Sequence, residues 1–278
     1  MPCYSLEGVI PVVHPSAHVH PTAVLIGDVH VGPDCYVGPC ASLRGDFGRI
    51  VLEEGANLQD TCVVHGFPEQ VTLIERNGHI GHGAVLHGCT VRRDALVGMN
   101  AVLMDEAEIG AEAIVAACAF VPAGARVAPR TLVAGTPAKR MRELSEAEVA
   151  WKLEGTRTYH DLTRRCLATL VEVQPLAEAE AVRPVLQAPQ VKSLIATRRG
   201  EVLAVARMTA SRCHGVSRGR GRGRGHGRRP RTAARPGAAP AARRSGPPAA
   251  SPWSAHGRRA DRSGSAPGRP SAAAPPWS

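Results

Sequence analysis

The sequence predicts an all-β chain wound as a three-sided parallel β-helix, followed by one α-helix and a basic tail. Three observations carry this. An aliphatic residue recurs at every sixth position through Val85, Val91, Val97, Leu103, Ile109, Val115, Val121, Val127 and Val133, and Val13, Val19, Leu25, Val31, Val37 and Leu43 keep the same step upstream. A small residue stands four positions after each downstream aliphatic but the last, from Cys89 and Ala95 to Ala125 and Thr131. Aromatic residues make up only 3% of the chain.

A step of six matches neither the 3.6-residue helix nor the two-residue alternation of a flat strand. It suits a chain that turns a corner once per unit. Each unit then supplies one short strand and one corner, the aliphatic points inward, and the small residue fits the crowded interior beside the turn. Backbone hydrogen bonds run between coils rather than within one. A prism this narrow has no room for aromatic rings. Cys35, Cys62 and Cys89 each lie four residues after an aliphatic, so they read as core filler rather than ligands.

The solenoid is expected over residues 1–140, a helical segment over 141–175, and a linker with a tail over 176–278. In the helical segment Ser145 and Glu148 form an S-x-x-E capping box, and Val149, Leu153, Leu162, Cys166 and Leu170 can share an apolar stripe. The spacing predicts a helix from about Glu146 to Leu170, with Gly155 as a potential break. It is expected to pack back along the prism or onto a neighbouring subunit.

Charge divides the chain. Residues 190–278 hold 19 Lys and Arg against 2 acids, whereas residues 1–189 hold 15 against 22. The Arg/Gly stretch and the Ala/Pro/Ser stretch after it cannot bury a core and are expected to be disordered. An RGG-like segment would neutralise nucleic-acid phosphates, but only Trp253 and Trp277 interleave the basic residues. A frameshifted or read-through GC-rich gene gives the same composition, and that reading is preferred; nucleic acid is a partner only if the tail is genuine. No signal-peptide pattern and no run of 18 apolar residues occur, and the eight cysteines form no CxxC pair. A cytoplasmic protein with reduced thiols and no membrane span is expected.

The six-residue register slips between Leu43 and Val85, where "RGDFG" and "HGFPEQVTLIERNG" are candidate insertions. Polar residues collect in the same interval. His65 and His87 are 22 apart, which is one coil of 18 plus four residues in the loop after His65. They follow Val64 and Leu86, so the two imidazoles are expected to stack one coil apart, provided Leu86 rather than Val85 points inward. His82 belongs to the preceding face and points across a subunit seam, where a neighbouring chain would use it as a third ligand. Three neutral imidazoles with an open position form a catalytic zinc set, which generates hydroxide from a bound water near neutral pH. Fe2+ or Co2+ would suit imidazole as well. His14, His18, His20, His30 and His79 read as surface or turn residues.

The motifs "LRGD", "NLQD", "VVHG" and "GHGAVLHGC" together resemble the γ-class carbonic anhydrase-like family of hexapeptide-repeat proteins. The resemblance implies a left-handed β-helix, a homotrimer and metal sites at the subunit interfaces. It implies an Arg44–Asp46 intersubunit ion pair, Gln59 holding the metal-bound hydroxide, Asp60 supporting Arg44, and Tyr159 reaching the site from the helix. A purely structural ion pair, and a Tyr159 packed on the prism, are the alternatives. "LEGVIPVVHPSAHVHPTAVLIGDVHVG", "GTPAKRMREL" and "GTRTYHDLTRRCLATL" are most similar to the phenylacetate-degradation branch, with the carnitine-operon branch near it. That implies a thioesterase acting on dead-end CoA thioesters of aromatic-acid breakdown.

The chain also departs from the family. Phe47 stands where the strongly active anhydrases have a Glu, and the loop after His65 offers only Glu69 and Glu75 to pass protons to solvent. CO2 or bicarbonate is then a weak substrate beside an acyl-CoA thioester. Two alternatives stay open: a metal-independent CoA-dependent acyltransferase, since Gly135 to Arg140 ("GTPAKR") resembles a CoA-contacting turn, and a structural trimer with a vestigial site.

Overall fold

The computed structural model describes residues 1–186 and 195–197. Short parallel strands, most of them two residues long, pair with the strand one coil further on, and a last strand, Lys139–Glu143, folds back antiparallel on Thr131–Ala134. They form an 8-stranded and a 12-stranded sheet. The larger sheet covers two faces of the prism, because the strands Val24–Val31 and Ser42–Leu52 continue around a corner. The winding is a left-handed β-helix of about 7 turns.

The aliphatic register explains the core. Leu25, Val31, Val37, Leu43, Val91, Val97, Leu103, Ile109 and Val115 are completely buried, as are Ala95, Ala101 and Ala113 from the small-residue positions. Cys35, Cys62 and Cys89 are buried with them, and burial pushes their thiols up to about 12, 11 and 12. These thiols are inert packing groups. Each corner of these coils needs a left-handed backbone. Asp94, Asn100, Glu106, Glu112, Cys118 and Arg130 adopt it at φ between 53° and 59°, six residues apart, and Gly124 fills the remaining place at 69°. Each non-glycine there costs about 1 kcal/mol, which the stacked coils outweigh.

Val85 does not take the inward slot. Leu86 does, fully buried between Val64 and Leu103. The step from Leu86 to Val91 is five residues rather than six, so the single-residue shift anticipated around Val85 occurs.

The helix α1 spans Glu146–Thr169 without a break at Gly155. Ser145 and Glu148 complete the capping box, and Arg142 grips the buried Glu148 carboxylate with two bonds of 2.6 and 2.7 Å. The helix packs on its own prism. Val149 joins Ile114 and Leu144 near the last coils, and His160 reaches back to the Gly55 carbonyl at 3.0 Å. The expected apolar stripe is buried only at its start, where Leu153 packs beside Val149. The buried residues of the helix are Glu148, Val149, Lys152, Thr156 and Thr163, while Leu162 and Cys166 are half-buried and Leu170 is exposed. The reason lies in the sheet beneath, which presents His79 and the Asn77 carbonyl, and buried polar groups must find partners. Lys152 Nζ donates to Asn77 O at 3.0 Å, and Thr156 Oγ1 lies 3.5 Å from His79 Nδ1. Among the described residues no helix is long and apolar enough to cross a membrane. The basic tail expected to be disordered lies almost wholly outside the described residues.

Candidate metal and substrate site

Two insertions and one deletion interrupt the coils, all between Ser42 and Val91. The first is in the strand Ser42–Leu52. Gly27 pairs with Gly45, an offset of 18, but Val29 pairs with Ile50, an offset of 21. Three extra residues are looped out there, which is how a bulge re-aims side chains. The second is the loop after His65, so that His65 pairs with His87 directly across 22 residues. The two insertions touch. A Cβ on Gly48 would lie 2.3 Å from Phe67 O and 2.6 Å from Gln70 O, so only glycine allows this approach.

The pairing of His65 with His87 brings their rings together, with centroids 5.0 Å apart and His65 Nδ1 3.0 Å from His87 Nε2. The outer nitrogen of each ring meets a carboxylate. His65 Nε2 lies 2.9 Å from Asp46 Oδ1, and His87 Nδ1 lies 2.5 Å from Asp105 Oδ1. Arg44 Nη1 donates to the other Asp46 oxygen at 2.5 Å. Partial burial works against the Asp46 charge, but the hydrogen bonds from Arg44 and His65 outweigh it and hold the carboxyl below its ordinary range. Asp46 is therefore a fixed anion that orients His65.

His82 is elsewhere on the chain. It is 47% exposed in its side chain and its Nδ1 meets Asp60 Oδ2 at 2.5 Å, leaving Nε2 directed outward from that bond. In the single chain Asp60 thus holds His82, and no bond from Asp60 to Arg44 is present among the described residues. Gln59 is buried on the neighbouring strand register. Its Nε2 donates to Asn57 Oδ1 at 3.0 Å and to His79 Nε2 at 2.8 Å. Tyr159 sets its ring edge-to-face with His79 at 5.2 Å and with Tyr36 at 5.4 Å. Burial pushes the Tyr159 hydroxyl well up, so it stays a neutral donor. Burial likewise drives His79 down to about 3, so that ring is neutral and accepts from Gln59.

The predicted residues therefore fall in two groups on one chain. Arg44, Asp46, His65 and His87 form one. Gln59, Asp60, His82 and Tyr159 lie on or beside the other. Among the described residues of the single chain, no three His, Cys, Asp or Glu side chains converge on a metal position. The donor chemistry nevertheless fits a metal. All three candidate imidazoles have one nitrogen tied to a carboxylate, the arrangement that fixes tautomer and raises ligand basicity, and the second nitrogens of His65 and His87 face each other. Two nitrogens on one tetrahedral zinc at about 2.05 Å stand roughly 3.3 Å apart, close to the spacing of the His65–His87 pair. A complete site would need His82 from a second copy.

Four functional neighbours escape a reading of motifs. Asp105 follows His87 by 18, one more than the 17-residue coil at that point, and His79 follows Asn57 by the same 22 that separates His65 and His87. That arithmetic would have found Asp105, Asn57 and His79. Phe67, 5.6 Å from His87, sits in an insertion where no repeat constrains position.

No family model matches the chain. Among curated proteins, it is similar to the carnitine operon protein CaiE of Proteus sp. (strain LE138), with 56% identity over 187 residues, 67% of this chain and 95% of that protein. The Escherichia coli (strain K12) protein of the same name is 57% identical over the same share of each. Among solved structures, a putative acetyltransferase from Bacillus cereus superposes with a TM-score of 0.59 at 30% identity, covering 60% of this chain and 96% of that one. A hexapeptide transferase family protein from Anaplasma phagocytophilum gives 0.57 at 34% identity, covering 59% and 96%.

Proposed function

The chain belongs to the hexapeptide-repeat, γ-carbonic anhydrase-like family near the carnitine-operon proteins, and on that premise we propose that it is a homotrimeric, metal-dependent hydrolase of CoA thioesters. The observation that carries the reading is the common state of His65, His82 and His87. Each has one imidazole nitrogen bound to its own carboxylate, and the second nitrogens of His65 and His87 face each other at 3.0 Å. A structural histidine has no need of that pattern three times within a stretch of 23 residues. The division of the predicted residues into two groups supports the trimer, since a copy on one side supplies His65 and His87 and a copy on the other supplies His82.

A divalent ion, zinc or else iron or cobalt, would be held by these three imidazoles and would supply a water nucleophile active near neutral pH. The remaining work falls to the chain. Asp46, kept ionised by Arg44, and Asp105 hold His65 and His87 in the ligating orientation. Asp60 does the same for His82. Gln59 spends its amide N–H groups on Asn57 and His79, which leaves its carbonyl oxygen to accept from the attacking water. The water oxygen adds to the thioester carbonyl carbon, the carbon–sulfur bond breaks, and the products are a carboxylic acid and free CoA. Thioesters of aromatic-acid breakdown are the substrates we propose, on the sequence motifs alone, since the curated relatives are carnitine-operon proteins; weak CO2 hydration is a side reaction.

A second reading has its own support. The two solved relatives are described as a putative acetyltransferase and a hexapeptide transferase, so a metal-independent CoA-dependent acyltransferase is the competing function. Such an enzyme would use a histidine as general base. Metal content by mass spectrometry on chelator-free protein separates the two. About one zinc, iron or cobalt per chain, with thioester hydrolysis lost on chelation and restored by the ion, is the expected result. Acyl transfer insensitive to chelator, on a protein that takes up no zinc, would replace the hydrolase reading with the transferase one.

A further inference from the structure

The chain has three phenylalanines. Phe120 lies in a regular coil and is half-buried. The other two are 61% and 52% exposed, and each is delivered by one of the two insertions: Phe47 by the bulge after Asp46, Phe67 by the loop after His65. Each lies beside one member of the histidine pair. The Phe47 centroid is 5.3 Å from that of His65, and the Phe67 centroid is 5.6 Å from that of His87. The insertions are locked together through Gly48, whose missing side chain makes room for the Phe67 and Gln70 carbonyls. The base of the second loop is pinned by the buried Thr72, whose hydroxyl donates to His65 O at 2.9 Å.

We propose that Phe47 and Phe67 form the acyl subsite of this enzyme, and that the acyl group it takes is uncharged and apolar, an aryl or arylalkyl group. The proposal rests on the thioesterase reading of the same site. A thioester whose carbonyl lies at the histidine pair must place its acyl substituent beside the pair, where both rings stand. Both rings are exposed, and covering them with a flat apolar group removes their surface from water.

Aromatic rings also bind quaternary ammonium groups, so a trimethylammonium-bearing acyl group is the rival occupant. The position of Arg44 disfavours it. The Arg44 guanidinium already stands 6.0 Å from the Phe47 centroid. The carboxylates that touch the histidines are both engaged, Asp46 by Arg44 and His65, and Asp105 by His87. A second cation at Phe47 would have to displace the Arg44 guanidinium from that ring and would find neither of those anions free.

The test uses the full-length, metal-loaded protein and compares kcat/KM for phenylacetyl-CoA, acetyl-CoA and a trimethylammonio-acyl-CoA. A second readout, on metal-free protein, is the calorimetric Kd of a non-hydrolysable phenylethyl thioether of CoA relative to CoA itself. The expected preference for phenylacetyl over acetyl is about tenfold or more. Phe47→Ala, Phe67→Ala and Gly48→Ala should each lower that preference and weaken the thioether relative to CoA, by about tenfold for the ring deletions. An unchanged ratio in all three variants overturns the proposal, as does a preference for the trimethylammonio substrate. Dissociation of the trimer by the ring deletions, seen by light scattering with selectivity intact, overturns it too, because the rings would then serve the interface. Ring-dependent binding of the thioether without hydrolysis of any thioester would keep the subsite and remove the hydrolase reading.

Discussion

The coils from Val91 to Val133 and the stretch from Ser42 to Thr90 are built on the same prism and do different work. In the first, each strand meets its neighbour at an offset of 18, as in Val91 with Ile109, Val97 with Val115 and Leu103 with Val121. Its inward residues are Val, Leu, Ile and Ala. In the second, the offset becomes 21, then 22. Both members of the histidine pair, Arg44, Asp46, Gln59 and both exposed phenylalanines lie there. A strict repeat can position only what recurs every turn, so unique chemistry needs a break in it. Asp105 is the exception that fits, since the regular part lends one carboxylate to the irregular part, from the residue after the one in register with His87.

Four measurements can break or sharpen this division. The largest effect is expected for His87→Ala. Thioester hydrolysis and metal retention should both be lost, by more than the 10- to 100-fold that removing an outer partner costs, with little change in thermal stability. If that variant unfolds instead, the irregular stretch is as structural as the regular one. Leu103→Ala is the mirror experiment. It deletes a fully buried side chain of the regular part and should cost about 2–5 kcal/mol in urea unfolding, while the folded fraction keeps its metal and its turnover.

The third measurement concerns Lys152, which the helix buries over Asn77. Burial lowers its pKa to about 8, against opposing attraction from Asp94 and Glu112. Between about 8 and the unfolded value of 10.5 the unfolded chain binds the extra proton, so stability rises with pH across that window. Relative to Lys152→Met, the natural protein should gain up to about 3 kcal/mol from pH 8 to pH 10.5; parallel pH profiles of the two would show that the lysine is not held as described. The smallest effect is expected for Cys118→Gly at a left-handed corner. Relief of the backbone strain, less the entropy glycine adds to the unfolded chain, should raise stability by about 0.5 kcal/mol, about one or two degrees in melting temperature.

Much of this was legible from spacing. Steps of six located the core, and the number 22 placed His65 over His87 because backbone pairing between coils turns sequence separation directly into height. The same reasoning required Leu86 to face inward, and it does. Asp60 and His82 are also 22 apart and meet at 2.5 Å, so that pair follows from the same count. Lateral neighbours were harder to read. The Phe67 ring beside His87 does not follow from the count, because it sits in an insertion that no repeat constrains. The underside of the helix was also hidden. A search for an apolar stripe cannot find Lys152, Thr156 and Thr163, whose burial is explained only by the polar groups of the sheet they cover. His79 looked like a turn residue for the same reason, since its partners Asn57 and Gln59 come from a different coil.

The helix has a consequence for how the molecule comes apart. A stack of repeats that touch only their neighbours can fray from either end, one turn at a time. Here α1 starts on the last turns, through Val149 and Ile114, and its Tyr159 ring rests on Tyr36 of the early ones. It acts as a tie rod along the column. Opening either end first requires releasing the rod, and that exposes the polar layer around His79 all at once. Amide exchange in the first and last turns should then report one shared opening event rather than two independent gradients.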